Sequence, residues 1–207
     1  MLGPHELALS ASPHSLPDSA TRSIGQELLT PPMAWTPRSE VEDEFKFNVV
    51  NHDLLSSPKF SYFITNVLFQ VLYSEPHQPV TQFDPESFQM AHRLIHTLLQ
   101  KVSHTMTVSI VLASIILLER VAHAKVFQLS KGSEYLMFVV ALIIANKLQD
   151  DYAWTNKSWT SLSGIQATKL SLRERQFLKV LHYDLSVNQA RYDCWERYFK
   201  SNQFYCK

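Results

Sequence analysis

Two charged residues interrupt apolar helical stripes, and they are the strongest candidates for chemistry in this sequence. Lys147 continues the stripe that contains Leu136, and Glu174 lies four positions after Leu170 in a second stripe. An apolar helix face accepts a charge only when that charge is paired or hydrogen-bonded. Because the two charges have opposite signs, the pattern predicts that Lys147 and Glu174 form a pair at a surface where the protein meets a partner.

Each of the two charges also has a purely structural interpretation, and the spacing alone leaves that interpretation open. Lys147 falls in the last turn of its helix, where the helix dipole favours a positive charge and the side-chain stem covers apolar surface. Glu174 is flanked by Arg173 and Arg175, which fits an exposed glutamate at the edge of the stripe.

Other polar clusters carry weaker signals for catalysis or for a metal. His92 and His96 are four positions apart, a spacing that binds metals on a helix face, but no further ligand lies near them in sequence. We interpret them as a surface or partly buried pair. Asp150 and Asp151 directly follow a helix end, so we interpret them as loop residues rather than as an acid–base pair. The sequence thus predicts a protein that is not an enzyme and that has no metal or cofactor.

The composition bounds the size of the fold and the kind of partner. A chain of 207 residues with 45% hydrophobic residues fits one domain with a sizeable core plus an extension. Lys+Arg and Asp+Glu both number 19, so no net field favours nucleic acid or an anionic membrane as a partner. Cys194 and Cys206 form no CxxC pair, which indicates ordinary thiols in a reducing compartment. We therefore expect an intracellular protein, in the cytoplasm, the nucleus or both.

Apolar residues recur at helical spacing through most of the chain after residue 57. The pattern predicts helices at about 58–72, from 85 to the break near 104, from there to 124, at 132–148, around 159, from 168 or 171 to 181, and at 188–202. The helix at 132–148 is apolar on all sides across its centre, as expected of a helix that others surround. We predict an all-α fold, a five-helix bundle around this central helix, with an extra N-terminal and an extra C-terminal helix.

The apolar runs at 108–118 and 135–145 are shorter than the ~20 residues that a membrane span needs, so we interpret them as core helices. By contrast, residues 1–56 are rich in Ser, Pro and Thr and are predicted to be a disordered tail. Residues 57–207 are predicted to form a single domain. The tail contains Thr30-Pro31 and Thr36-Pro37, dipeptides that proline-directed kinases accept and that are also common in disordered segments.

Four segments of the chain resemble parts of a cyclin box. Residues 145–151 (ANKLQDD) resemble the end of its third helix, and Glu119-Arg120 resembles the ending of its second. Residues 156–159 (NKSW) resemble the next short helix, and residues 172–178 (LRERQFL) resemble the fifth. Together these segments resemble the fungal Pcl and Pho-type cyclins, in particular their Clg-like and Pas-like branch.

The resemblance implies a single cyclin box whose function is to bind and activate a cyclin-dependent protein kinase of the fungal phosphate-pathway type, as a heterodimer, and to help choose its substrates. It implies that Lys147 and Glu174 are presented to the mobile helix of the kinase, with Leu136 as the apolar residue on the same face. In such a complex the bound kinase is expected to phosphorylate Thr30 or Thr36.

Two further expectations accompany this resemblance. Arg93 is expected to pair with Glu119 in an internal salt bridge. The alternative function is that of a cyclin-box protein of the general transcription factor type, which acts on DNA or on the transcription machinery. That function would require a basic face, and the balanced charge of the chain does not predict one.

We expect residues 1–50 to be dispensable for folding, because they lack a periodic apolar face. Limited proteolysis of the full chain should remove this segment and leave a stable core. Protection of the segment from protease in the free protein would contradict the expectation.

Overall fold

The computed structural model describes residues 51–73, 83–126 and 130–203, and its regular elements in these ranges are α-helices. In chain order they are α1 (His52–Leu55), α2 (Pro58–Tyr73), α3 (Pro85–Val102), α4 (Val108–His123), α5 (Glu134–Gln149), α6 (Asn156–Ser163), α7 (Ala167–Val180) and α8 (Gln189–Gln203). The predicted all-α fold is confirmed, with α3 to α7 as the five-helix bundle and α2 and α8 as the extra helices. Thr30, Thr36 and Cys206 lie outside the described residues.

Helix α5 is the centre of the bundle. Every residue from Glu134 to Asn146 is buried, because α2, α3, α4, α6 and α7 all pack against this helix. Helix α4 is buried over residues 108–119 and makes the most extensive contact with α5. Both apolar runs of the sequence are therefore core helices, as predicted. Among the described residues, no helix combines the length and the apolarity that crossing a membrane requires.

Short polar side chains cap the first turns of α3 and α6, and the cap of α3 is the predicted residue. A carboxylate oxygen of Asp84 accepts a hydrogen bond of 2.8 Å from the backbone N–H of Ser87, and Pro85 occupies the first turn of α3. The hydroxyl of Thr155 accepts one of 3.2 Å from the backbone N–H of Ser158 at the start of α6. Gly164 ends α6 with a φ of 74°, a conformation that glycine adopts without steric cost.

The folded part of the chain includes residues that the sequence analysis assigned to the tail. Helix α1 lies within residues 1–56, Leu55 is fully buried, and the side chain of Asn51 accepts a hydrogen bond of 3.0 Å from the backbone N–H of Leu54. The prediction was wrong for this stretch because a helix of four residues is too short to produce a periodic apolar pattern. Helix α7 also begins slightly before the predicted residues, at Ala167.

The C-terminal helix docks on the bundle through its aromatic face, as its helical spacing indicates. The side chains of Trp195 and Phe199 are buried, and the Phe199 ring meets the rings of Phe60 and Phe63 on α2 edge to face. The hydroxyl of Tyr192 lies 3.0 Å from the hydroxyl of Ser109 on α4. Helix α8 is therefore part of the hydrophobic core.

A buried carboxylate fastens α8 to α4. Glu119 accepts hydrogen bonds from the guanidinium of Arg191, including one of 2.8 Å from Nε, and another of 3.0 Å from Nε1 of Trp195. The expected pair between Arg93 and Glu119 is wrong. Arg93 is exposed on α3 because it lies on the side opposite the buried stripe that contains Ala91 and Ile95.

Replacing Trp195 with alanine should lower the free energy of unfolding by roughly 3–5 kcal/mol, because the change empties a fully buried indole site. Chemical denaturation of the full chain measures the difference. Arg197→Ala is the matched control, since Arg197 is exposed on the same helix. A Trp195→Ala variant with parental stability that loses a partner would assign this face to binding instead.

Glu119→Ala should be destabilising by roughly 3–5 kcal/mol, because it removes the carboxylate that a guanidinium binds in a site where both side chains are nearly buried. Asp184→Ala removes an exposed carboxylate that pairs with Arg120 at 3.0 Å and accepts hydrogen bonds from Ser186, and it should be much less destabilising. Equal losses in melting experiments on the two variants would contradict the assigned role of Glu119.

Candidate partner-binding site

The two charges that the sequence analysis singled out meet at one end of the bundle. Nζ of Lys147, in the last turn of α5, donates a hydrogen bond of 2.6 Å to Oε1 of Glu174, in the middle of α7. The side chain of Lys147 is 38% exposed and that of Glu174 is 13% exposed. The predicted pairing is therefore present in the structure, and the lysine is its more exposed member.

Asn156, the first residue of α6, closes this ion pair into a cyclic network. Its Oδ1 accepts a hydrogen bond of 3.0 Å from Nζ of Lys147. Its Nδ2 donates one of 2.7 Å to Oε2 of Glu174 and one of 3.0 Å to the hydroxyl of Ser171. Three consecutive helices thus contribute to one polar cluster, which we call the α5–α6–α7 cluster (Lys147, Asn156, Ser171, Glu174).

The network defines which way the amide of Asn156 points. Its oxygen faces an ammonium group, and its nitrogen faces two oxygen atoms. The reversed amide would direct N–H donors at the ammonium of Lys147, which has no acceptor. Both oxygens of the Glu174 carboxylate are occupied by donors, which satisfies the polar requirement of a charge that is mostly out of water.

The loop between α5 and α6 is tied back to the end of α5, and this brings Asn156 next to Lys147. The side-chain oxygen of Asn146 accepts a hydrogen bond of 3.3 Å from the backbone N–H of Trp154. Asp150 accepts one of 2.9 Å from the backbone N–H of Tyr152. Asp150 and Asp151 are therefore loop residues, as the sequence indicates, and Asp150 helps to shape the turn.

Leu136 lies on the same stripe of α5 as Lys147, three turns earlier, but it offers little surface. Its residue exposure is 6%, because the helices around α5 cover it. Other apolar side chains of α5, of the loop that follows it and of α7 are more exposed: Leu148 is 46% exposed, Tyr152 is 90% exposed and Leu172 is 50% exposed.

The histidine pair that the sequence analysis considered for metal binding contacts a buried hydroxyl. Oγ of Ser61, on α2, lies 3.3 Å from Nε2 of His92 and 3.1 Å from Nδ1 of His96. Both histidines are partly buried, as expected. Within residues 51–73, 83–126 and 130–203, no cluster of three or more His, Cys, Asp or Glu side chains is arranged to hold a metal.

Asn156 and Ser171 are the members of the cluster that the sequence analysis missed as site residues. An asparagine at the start of a helix is ordinarily explained as a helix-terminus residue, and a serine in the first turns of a helix attracts no attention. The available signal was the threonine that precedes Asn156. Because Thr155 already caps α6, the amide of Asn156 is available for contacts with other helices.

Comparison with known proteins finds a family match over the residues that carry this cluster. Residues 87–185 match the family model for cyclins, and this span includes Lys147, Asn156 and Glu174. Two proteins of the yeast Saccharomyces cerevisiae are similar to parts of the chain. PHO85 cyclin-5 is 35% identical over 60 residues, which are 29% of this chain and 26% of that protein. PHO85 cyclin CLG1 is 37% identical over 51 residues, which are 25% of this chain and 11% of that protein.

These matches cover about a quarter or less of the length of the two relatives. No solved structure gives a significant match to the chain. The family match spans α4 to α7 and nearly all of α3, the same five helices that the sequence analysis assigned to the bundle. Residues 87–185 are therefore similar to a cyclin domain, and the predicted resemblance of the chain to the fungal Pcl-type cyclins is confirmed.

Proposed function

We propose that this protein is a regulatory subunit that binds and activates a cyclin-dependent protein kinase of the fungal phosphate-pathway type and helps to choose its substrates. The proposal rests on the α5–α6–α7 cluster, a preformed and partly exposed ion pair within the residues that match the cyclin family model. Both yeast relatives carry the name of a PHO85 cyclin, which favours a kinase over DNA as the partner.

The chemistry of the cluster suits the backbone of a partner protein. An ammonium group has three N–H donors, and Lys147 directs two of them to Glu174 and Asn156. The third donor is available for a carbonyl oxygen of the kinase. Exposed apolar side chains that follow Lys147 in the chain, Leu148 and Tyr152, supply surface for the apolar part of an interface. In this proposal Leu136 contributes the small apolar area that remains exposed.

The proposed mechanism is positional and leaves the chemical step to the kinase. A protein kinase is active only when its own Lys–Glu ion pair and its Mg²⁺-binding aspartate are in place, and both depend on the position of one mobile helix. A cyclin that binds the active arrangement more tightly than the inactive one shifts the kinase population towards activity. The kinase partner, and not this chain, carries the catalytic residues.

Lys147→Ala should keep the melting temperature of the parent within a few degrees, because Lys147 is partly exposed and such a pair contributes about 1 kcal/mol or less to folding. Glu174→Ala should still fold but melt at a lower temperature, because its carboxylate is only 13% exposed and accepts two hydrogen bonds. Each change should nevertheless weaken kinase activation by roughly tenfold or more, since the partner's polar groups and the remaining charge lose their mate in the complex. The measurement is a titration of the purified kinase with each variant, followed by phosphate transfer to a peptide.

Lys157→Ala and Lys169→Ala are the matched controls, because both lysines are exposed on the helices that carry Asn156 and Glu174. They should activate the kinase like the parent. Full activation by both Lys147→Ala and Glu174→Ala would contradict the proposed interface, and phosphate transfer by the isolated chain would contradict the regulatory role.

A further inference from the structure

We infer that Asn156 is a positioning residue of the proposed kinase contact, holding Lys147 and Glu174 in the arrangement that the kinase recognises. The inference rests on the proposed function and assigns a role to a residue outside the ion pair itself. Its basis is that one amide group is hydrogen-bonded to both charged partners at the same time.

The side chain of Asn156 is committed to the other two helices of the cluster. Thr155 already caps α6, and both N–H donors of the Asn156 amide are directed at α7, one to Ser171 and one to Glu174. Its oxygen is directed at α5, to Lys147. An asparagine that served only to start α6 would not need this set of three partners.

The hydrogen bond to Asn156 restricts the most flexible side chain of the cluster, that of Lys147. A lysine has one of the largest side-chain conformational entropies, and the last turn of α5 leaves Lys147 exposed on one side. Two acceptors on different helices, Oε1 of Glu174 and Oδ1 of Asn156, hold the ammonium in one position before a partner arrives. A group that is already ordered loses less entropy on binding, so the complex is tighter.

The same amide also orients the carboxylate. The carboxylate of Glu174 is held in one orientation, because Nδ2 of Asn156 lies 2.7 Å from Oε2 and Nζ of Lys147 lies 2.6 Å from Oε1. Aspartate in place of Asn156 would retain an acceptor for Lys147. It would lose both N–H donors and bring a second negative charge against Oε2.

The test compares Asn156→Ala and Asn156→Asp in the full chain, with the kinase dissociation constant and the melting temperature measured for each. Both variants should bind the kinase about tenfold more weakly than the parent. Asn156→Asp should still fold with a cooperative transition, because the favourable negative charge in the first turn of α6 offsets part of the repulsion from Glu174. Lys157→Ala, a change at the next and exposed residue, should leave both quantities unchanged.

A double-mutant cycle distinguishes positioning from a direct contact. If Asn156 acts through Glu174, adding Asn156→Ala to Glu174→Ala should weaken binding by less than about threefold beyond the single Glu174→Ala change. If the fold-losses of binding of the two single variants multiply in the double mutant, Asn156 makes an independent contact with the kinase and the inference is overturned. Parental binding by both Asn156→Ala and Asn156→Asp would also overturn it.

Two outcomes separate this inference from the proposed function. If Lys147→Ala and Glu174→Ala lose binding while both Asn156 variants bind like the parent, only the positioning role is wrong. If all four variants bind like the parent, the proposed kinase contact is wrong and the positioning role with it. If Asn156→Ala loses both stability and binding while Asn156→Asp loses neither, the positioning role is wrong and Asn156 serves the folding of α6.

Discussion

The burial of α5 on all sides is the constraint on which the rest of the structure depends. A helix that is apolar around its whole circumference is stable only when other helices cover it, and five helices pack against α5. The cover ends at the last turn, where Lys147, Leu148 and Gln149 are exposed. Lys147 lies in this uncovered turn, which determines the location of the α5–α6–α7 cluster. The other charged residue of α5, Glu134, is buried at the opposite end, where its carboxylate accepts a hydrogen bond from the hydroxyl of Tyr73.

The polar contacts of Glu119 and the α5–α6–α7 cluster differ in their surroundings. Glu119 is enclosed between α4 and α8, where the guanidinium of Arg191 and the indole N–H of Trp195 satisfy its carboxylate. Its partners lie more than 70 positions away in the chain, so the contact links the last helix to the core. The side chain of Lys147 is instead 38% exposed, so this cluster lies at the surface of the bundle.

The architecture could be predicted because its signals are local. All-round apolarity identified α5, helical spacing identified the aromatic face of α8, and Asp84 with Pro85 marked the start of α3. The Lys147–Glu174 pair could be predicted because each charge interrupts an apolar stripe. Asn156 could not, because its role depends on how three helices meet. The partner of Glu119 was assigned incorrectly for the same reason, since spacing along the chain does not report which of two arginines faces a buried carboxylate.

The most direct test of the proposed kinase contact is site-specific photocrosslinking of the complex. A photoreactive phenylalanine analogue at position 148, beside the cluster, is compared with the same analogue at position 90 on α3. Leu148 and Met90 are matched in exposure, at 46% and 48%. The account predicts a crosslink to the kinase from position 148 and none from position 90. A crosslink from position 90 alone would contradict it.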